Sequence, residues 1–286
     1  MGVWDKIVFL NFDDTLVPQR QLLVFPHEWI ELKDIRGTRM YAEPTSLRRI
    51  VERISQKVQQ KIVLLGCGDF HYVTHLLLML IKRPFTLLLF DNHSELISPL
   101  DSSLISCGSW IAASLNKLVF LKRVVIIGAD AKTFCQVAPS FLPRVLYVPY
   151  CQIDDNIYRQ VPSYLRWFLK RFPPITELGI EAAVRKLISY IPTATVYISI
   201  DKDVLRPQDA VTNWDQGMMN LEELLVALRE VSGRKRVWGV DICGEMPLNP
   251  VELMRVDGRE IVEKNMRANF EIISLLMNLG ALENAS

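Results

Sequence analysis

The chain has 286 residues and contains no CxxC pair. Its five cysteines (Cys67, Cys107, Cys135, Cys151 and Cys243) are scattered and odd in number. That pattern excludes a disulfide framework and indicates reduced thiols in a cytoplasmic protein, most of them small core residues. Charge of one sign is missing as well. The formal net charge is +1, which gives neither nucleic acid nor an anionic membrane a reason to bind. No apolar run can cross a bilayer: the stretch from His75 to Ile81 is short and stops at Lys82-Arg83-Pro84. The first residues, Met1-Gly2-Val3-Trp4-Asp5-Lys6, lack the basic-then-apolar shape of a signal peptide. Histidine is scarce, with only His27, His71, His75 and His93, and none from 94 to 286. Internal repeats, low-complexity segments and flexible linkers are absent too, so residues 1–286 are expected to form one domain.

Half of the residues are hydrophobic, and they come in short β-rich blocks. Ile7–Asn11, Ile62–Leu65, Thr86–Phe90, Val124–Ile127, Val145–Val148, Thr195–Ile200 and Val237–Val240 are continuously apolar, with no in/out alternation. Strands buried on both faces of a parallel sheet look like this. Helical spacing separates them, over Pro44–Gln60, Leu104–Leu118, Glu181–Tyr190, Leu221–Val231 and Arg259–Leu279. The expected fold is therefore a three-layer α/β/α domain with a mostly parallel central sheet and a site beyond the carboxyl ends of the strands. Residues 17–43 and 149–179 stand out as long irregular stretches, which often wall an active site.

Two of the apolar runs end abruptly in ionisable residues. Leu88-Leu89-Phe90 is followed by Asp91-Asn92-His93-Ser94-Glu95, and Ile198-Ser199-Ile200 by Asp201-Lys202-Asp203. Extended backbone sends alternate residues to one side, so Asp91, His93 and Glu95 converge, and so do Asp201 and Asp203. Four carboxylates gathered at two strand ends repel one another unless a cation sits among them. A pair of divalent metal ions meets that need, because carboxylates hold two metals roughly 4 Å apart in hydrolytic sites. A third signature, Asn11-Phe12-Asp13-Asp14-Thr15, is similar to a phosphatase loop. It has Asn11 where the nucleophilic carboxylate belongs, so a strand-end turn is expected instead.

Four segments in order resemble the arginase/agmatinase (ureohydrolase) family: Gly66-Cys67-Gly68-Asp69-Phe70-His71, Asp91-Asn92-His93-Ser94-Glu95, Ser199-Ile200-Asp201-Lys202-Asp203 and Asp241-Ile242-Cys243-Gly244-Glu245. The resemblance implies an arginase-like fold and a site for two divalent ions, manganese by family and by the oxygen-rich donor set. Asp91 and Asp201 would bridge the ions. His71 and Glu95 would complete one shell, and His93 and Asp203 the other. His75, one helical turn beyond His71, is the competing ligand. The implied reaction is hydrolysis of a guanidino or amidino C–N bond with release of urea. Asp203 would orient the attacking water, and Glu245 would pair with the guanidinium.

The departures from the family pattern bear on the substrate. Glu95 replaces the usual aspartate, Phe70 separates Asp69 from His71, and Gly244 sits at the spacing of the family's late acidic residue. No histidine follows His93 to shuttle a proton. Ser106-Cys107-Gly108-Ser109-Trp110 occupies the neighbourhood of the loop that arginases use for an amino acid's α-amino and carboxylate groups. The large residues Trp29, Tyr41, Tyr150, Tyr158, Tyr164 and Trp167 in the two irregular stretches, and the loop Thr212–Gly217, are candidate pocket walls. The expected partner is a small guanidino or amidino compound bulkier or less polar than free arginine, or an arginine-containing peptide. A deacetylase-like amide hydrolase and a catalytically weak, metal-binding regulatory relative are the alternatives. The family's assembly implies a homo-oligomer.

Overall fold

Each apolar run forms a strand, and the reason is visible in the packing. The structure, a computed structural model, describes residues 6–98, 101 and 103–283, with side chains as far as Gly280. The N-terminal reading falls mostly on residues 1–5, outside the described ones. The strands are β1 (Ile7–Asn11), β2 (His27–Glu31), β3 (Tyr41–Ala42), β4 (Ile62–Cys67), β5 (Phe85–Phe90), β6 (Ile105–Ser106), β7 (Leu121–Ile127), β8 (Val145–Val148), β9 (Thr195–Asp201) and β10 (Arg236–Glu245). Eight of them make one sheet in the order β2-β1-β4-β10-β9-β5-β7-β8. Every pairing in it is parallel. β3 and β6 form a separate antiparallel ribbon.

Side chains of the sheet alternate between two cores. On one face Leu87, Leu89, Val63 and Ile126 pack with Ile50, Leu76, Trp110 and Phe168. These last four come from helices Pro44–Ile54, Val73–Leu78, Trp110–Lys117 and Ser163–Leu169. On the other face Leu88, Phe90, Leu64 and Ile198 pack with Val184, Leu224 and Ile272. Those belong to helices Ile180–Ile188, Leu221–Ser232 and Val256–Glu283. Both sheet faces are thus covered, which is why the strands carry no polar alternation.

The irregular stretches hold more structure than their sequence shows. β2 lies within 17–43, and its sequence His-Glu-Trp-Ile-Glu hides it, since an edge strand needs one buried side chain and gains from charges along its free side. Three short helices, Asp155–Gln160, Ser163–Leu169 and Ile175–Leu178, occupy 149–179. The helix expected from Leu104 starts only at Trp110, because Ile105–Ser106 is taken by the ribbon. Asn11–Thr15 is a strand-end turn as expected: Asn11 Nδ2 donates to Glu31 and Asp14, and Thr15 Oγ1 to Asp13.

His75 belongs to the core. Its Nδ1 lies 2.8 Å from Ser114 Oγ on the neighbouring helix, and burial lowers its pKa to about 4, with Lys117 adding to the effect. The unfolded chain therefore takes up the proton first, and stability is lost as pH falls from 6.5 toward 4. Linkage gives a loss of about 2 kcal/mol between pH 7 and pH 5 from this residue. His75→Asn, which keeps a polar atom near Ser114, should flatten the fall in unfolding free energy over that range by about this amount. Denaturant unfolding of both proteins at the two pH values measures it, and parallel pH curves would exclude His75 as the source.

Candidate metal centre

Four adjacent strands, β4, β10, β9 and β5, end side by side and deliver the ionisable residues to one place. Asp201 closes β9, Asp91 follows β5 directly, and Cys243 lies near the end of β10. β4 leads through the short turn Gly68–Phe70 to His71. Backbone amides set the carboxylates: the Asn92 N–H donates to Asp203 Oδ1 at 2.8 Å, the His93 N–H to Asp91 Oδ1 at 2.6 Å, and the Asp203 N–H to Asp201 Oδ1 at 3.0 Å.

Asp91 stands between two imidazoles. Its Oδ2 is 3.3 Å from His71 Nδ1, and its Oδ1 is 3.6 Å from His93 Nδ1. His71 Nδ1 is also 3.3 Å from Asp201 Oδ2, and His93 Nδ1 is 2.8 Å from Asp203 Oδ2. A relay fixes the His71 ring. Its Nε2 lies 2.9 Å from Ser199 Oγ, which donates to Asp241 Oδ1 at 2.7 Å, where Thr74 Oγ1 also donates at 3.0 Å. With Ser199 Oγ–H committed to Asp241, Nε2 carries the proton and Nδ1 faces the carboxylates. Ligand atoms fall into two groups, each within 4.8 Å: His71, Asp201 and Cys243, and Asp91, His93 and Glu95.

The electrostatics are those of a site short of positive charge. Burial raises the Glu95 and Asp203 carboxyls well above the usual range, and the neighbouring Asp91 and Asp201 push in the same direction. Burial disfavours charge on His71 and His93, yet the carboxylates outweigh it. His71 is raised well above its ordinary value, and His93 is pushed up to about 12. Asp91 Oδ2 and Glu95 Oε2 are buried with no hydrogen-bond partner among the described residues. Orphaned carboxylate oxygens beside imidazole nitrogens are what divalent cations bind, so the residues present fit a pair of metal ions.

A cavity of about 480 Å³ opens onto this cluster. Its lining includes the ionisable residues His71, His93, Glu95, Asp201 and Asp203 together with Trp214, Met40, Tyr41, Ile97, Cys107 and Cys135. Asp69 ties the walls together. Its oxygens accept from Arg39 Nη1 at 2.7 Å, from Trp214 Nε1 at 3.1 Å and from Asn213 Nδ2 at 3.1 Å.

The six expected metal ligands therefore come together, and His71 lines the cavity while His75 does not. Glu245 is a correction. Strand alternation from Asp241 and Cys243 sends residue 245 toward the site, but Gly244 has φ +89° and the register shifts around it. Glu245 is turned away into a buried cluster, where it pairs with Lys202 Nζ and accepts from Gln19 Nε2 and Asn269 Nδ2, each at 2.7 Å. It does not face the cavity. Stretch 149–179 is a second correction: Tyr150 bonds Glu223, Tyr164 bonds the Val137 carbonyl, and Lys170 lies over the Tyr158 ring. Trp167 is 70% exposed, and Trp29 packs on Phe9. Of the six aromatics only Tyr41 lines the cavity, joined by Trp214 from the loop at 212–217 and by Ser106, Cys107 and Gly108. Sequence reasoning missed the approach of Cys243 to Asp201 and the Ser199–Asp241 relay. The i, i+2 spacing of Asp241 and Cys243, and of Ser199 and Asp201, was the available signal.

A parallel α/β sheet with two groups of candidate metal ligands at its carboxyl edge defines the class. The Arginase family model matches residues 14–251, and the chain belongs to that family. It is similar to an uncharacterized protein of Thermotoga maritima, 29% identical over 270 residues that cover 94% of this chain and 89% of that one. Among solved structures it is similar to Trypanosoma cruzi formiminoglutamase with Mn2+ (TM-score 0.61, 11% identity, 96% of this chain and 94% of that one). It is also similar to the agmatine ureohydrolase of Thermoplasma volcanium (0.59, 14%, 99% and 94%) and to arginase from Bacillus cereus (0.56, 13%, 94% and 98%).

Gly244 matters to this geometry. A Cβ there would stand 2.5 Å from Asp201 Oδ1 and 2.7 Å from Lys202 N, at a backbone angle that side chains avoid. Gly244→Ala is expected to destabilise the metal-free protein by about 2 kcal/mol or more. Denaturant unfolding tests this, and a variant as stable as the parent would contradict the crowding.

Proposed function

We propose that the protein is a dinuclear-metal hydrolase of a guanidino or amidino C–N bond that releases urea and an amine. The observation that supports it best is Asp91, which turns one oxygen toward each imidazole, the placement of a ligand shared by two ions. Asp91 and Asp201 are assigned as the shared ligands, His71 to one ion, and His93 and Asp203 to the other. The resemblance puts Glu95 with His71. Its oxygen stands within 4.8 Å of ligand atoms of Asp91 and His93, so we assign it to the His93 side. Two bound divalent ions, manganese by the donor set, would supply a water acidic enough to attack near neutral pH and charge to stabilise the transition state. Asp203, held by the Asn92 amide, would orient the attacking water and, with no third histidine lining the cavity among the described residues, would pass the proton to the leaving amine.

The outer cavity sets the substrate. Met40, Tyr41, Ile97, Cys107 and Cys135 offer apolar surface, and Lys132 is its one cation among the described residues. Groups that would read both an α-amine and an α-carboxylate are not assembled there, so free arginine gains little. The withdrawal of Glu245 gives a second reading some support. The carboxylate expected to pair with a guanidinium faces away, as suits an uncharged amide substrate better. The chain is read as one arginase-like domain. Five free cysteines fit a reducing cytoplasm. Val251, Met254 and Val256, all at least 70% exposed, fit a homo-oligomer contact.

Two ions per chain are expected after manganese loading, and elemental analysis finding one or fewer would remove the dinuclear site. Asp201→Asn should retain less metal than Asp203→Asn, because it removes a shared ligand.

In a release screen over arginine, agmatine, guanidinobutyrate, arginine peptides and acetylated amines, a compound other than free arginine should give the most urea. Preference for free arginine, with turnover on the order of 10 per second, would overturn the substrate reading, and acetate in place of urea would favour the amide hydrolase.

A further inference from the structure

Cys243 is fully buried beside His71 and Asp201, and the proposed reaction makes no use of it. Its Sγ donates to Asp201 Oδ2 at 3.1 Å, and that same oxygen is 3.3 Å from His71 Nδ1. Sulfur, carboxylate oxygen and imidazole nitrogen thus lie within 4.8 Å of one another. A second observation points to the same spot. Asp91 Oδ2, 3.3 Å from His71 Nδ1, is fully buried and has no hydrogen-bond partner among the described residues. The backbone contributes too. β10 shifts register between Ile242 and Cys243 and again between Cys243 and Glu245, which seats residue 243 beside both Gly66 and Asp201. Bulges of this kind re-aim side chains next to active sites. The other buried cysteine, Cys67, donates instead to Asn213 Oδ1 at 3.3 Å.

We infer that Cys243 supplies a thiolate to the ion held by His71 and Asp201, so that this ion has nitrogen, oxygen and sulfur donors and the His93 ion nitrogen and oxygen alone. The inference rests on the dinuclear reading above. When the ion binds, a metal–sulfur bond forms and the thiol proton leaves to solvent. Manganese prefers hard oxygen donors, while thiolate favours zinc, iron and cobalt, so the two positions differ in the metal they select. Cys243 is in this sense a specificity residue for the cofactor, and the His71 position retains a softer ion in competition with manganese.

Cobalt(II) titration of the metal-free protein tests this, with bound metal counted by elemental analysis. The parent should bind two equivalents, one of which brings a near-ultraviolet sulfur-to-cobalt charge-transfer band. Cys243→Ser and Cys243→Ala should bind cobalt and lose that band. Two equivalents without the band, or a band that survives in both variants, would overturn thiolate ligation and leave the dinuclear site standing. Failure to bind cobalt at all would overturn both. X-ray absorption of the zinc-loaded parent needs no variant: a sulfur neighbour at about 2.3 Å is expected, and a shell of nitrogen and oxygen alone would refute the inference.

Discussion

Like charge forced together is the constraint around which this site is arranged. Asp91, Glu95, Asp201 and Asp203 are all buried at one end of the sheet. Carboxylates so placed would protonate or push the strand ends apart unless opposed. Part of the opposition is built in. Amide N–H groups of residues 92, 93 and 203 point at the carboxylates, and His71 and His93 sit against them. The imidazoles hold protons tightly there because the carboxylates demand positive charge. Divalent ions would answer the same demand with more charge and would leave the histidines free to act as neutral ligands.

The opposite side of the same strand ends is anchored by another buried charge pair. Lys202 opens the short 3-10 turn Lys202–Val204 that follows β9, and its ammonium meets Glu245. Gln19 and Asn269 complete the hydrogen bonding of that carboxylate. Removing one partner of such a pair typically costs about 3–5 kcal/mol, since the other charge is left buried. The pair joins the end of β9 to the end of β10, and Asn269 adds the C-terminal helix. The edge that carries the candidate ligands thereby gains a support that does not depend on metal.

Much of this was legible in the sequence because its physics is local. Continuous apolar runs bounded by helical periods reveal a parallel sheet, and alternate ionisable residues at two run ends mark the buried cluster of candidate ligands. Two neighbouring parallel strands, β5 and β9, then bring Asp91 and Asp201 together. The illegible parts depend on backbone geometry or on distant packing. Alternation alone assigns Glu245 to the wrong face, because one left-handed glycine and two register shifts reverse it. β2 was missed because a charged edge strand has no apolar signature. The choice between His71 and His75 needed Ser114, 39 residues from His75 in the chain. The helices of 149–179 bury Leu165, Phe168 and Leu169 against the core and leave its aromatics no part in the cavity.

On the proposed function, the same bulge would link specificity to metal chemistry. At the end of β10 a site that grips a guanidinium would present a carboxylate, whose loss an enzyme of this kind feels because buried recognition groups discriminate strongly. Here the backbone presents a thiol at 243, no side chain at 244, and a carboxylate at 245 turned into the support. A Cβ at 244 would meet Asp201 Oδ1 at 2.5 Å, so an acid cannot be restored there without displacing Asp201. Under the proposed function, substrate charge would be met by the carboxylates proposed to hold the ions, and binding would draw on the cavity lining of Met40, Tyr41, Ile97 and Trp214. On that reading, the division would favour substrates with a small reactive head and a bulky or weakly polar tail. Asp69, in the turn that leads to His71, accepts from both Arg39 and Trp214, so one buried carboxylate ties together two segments that flank the cavity.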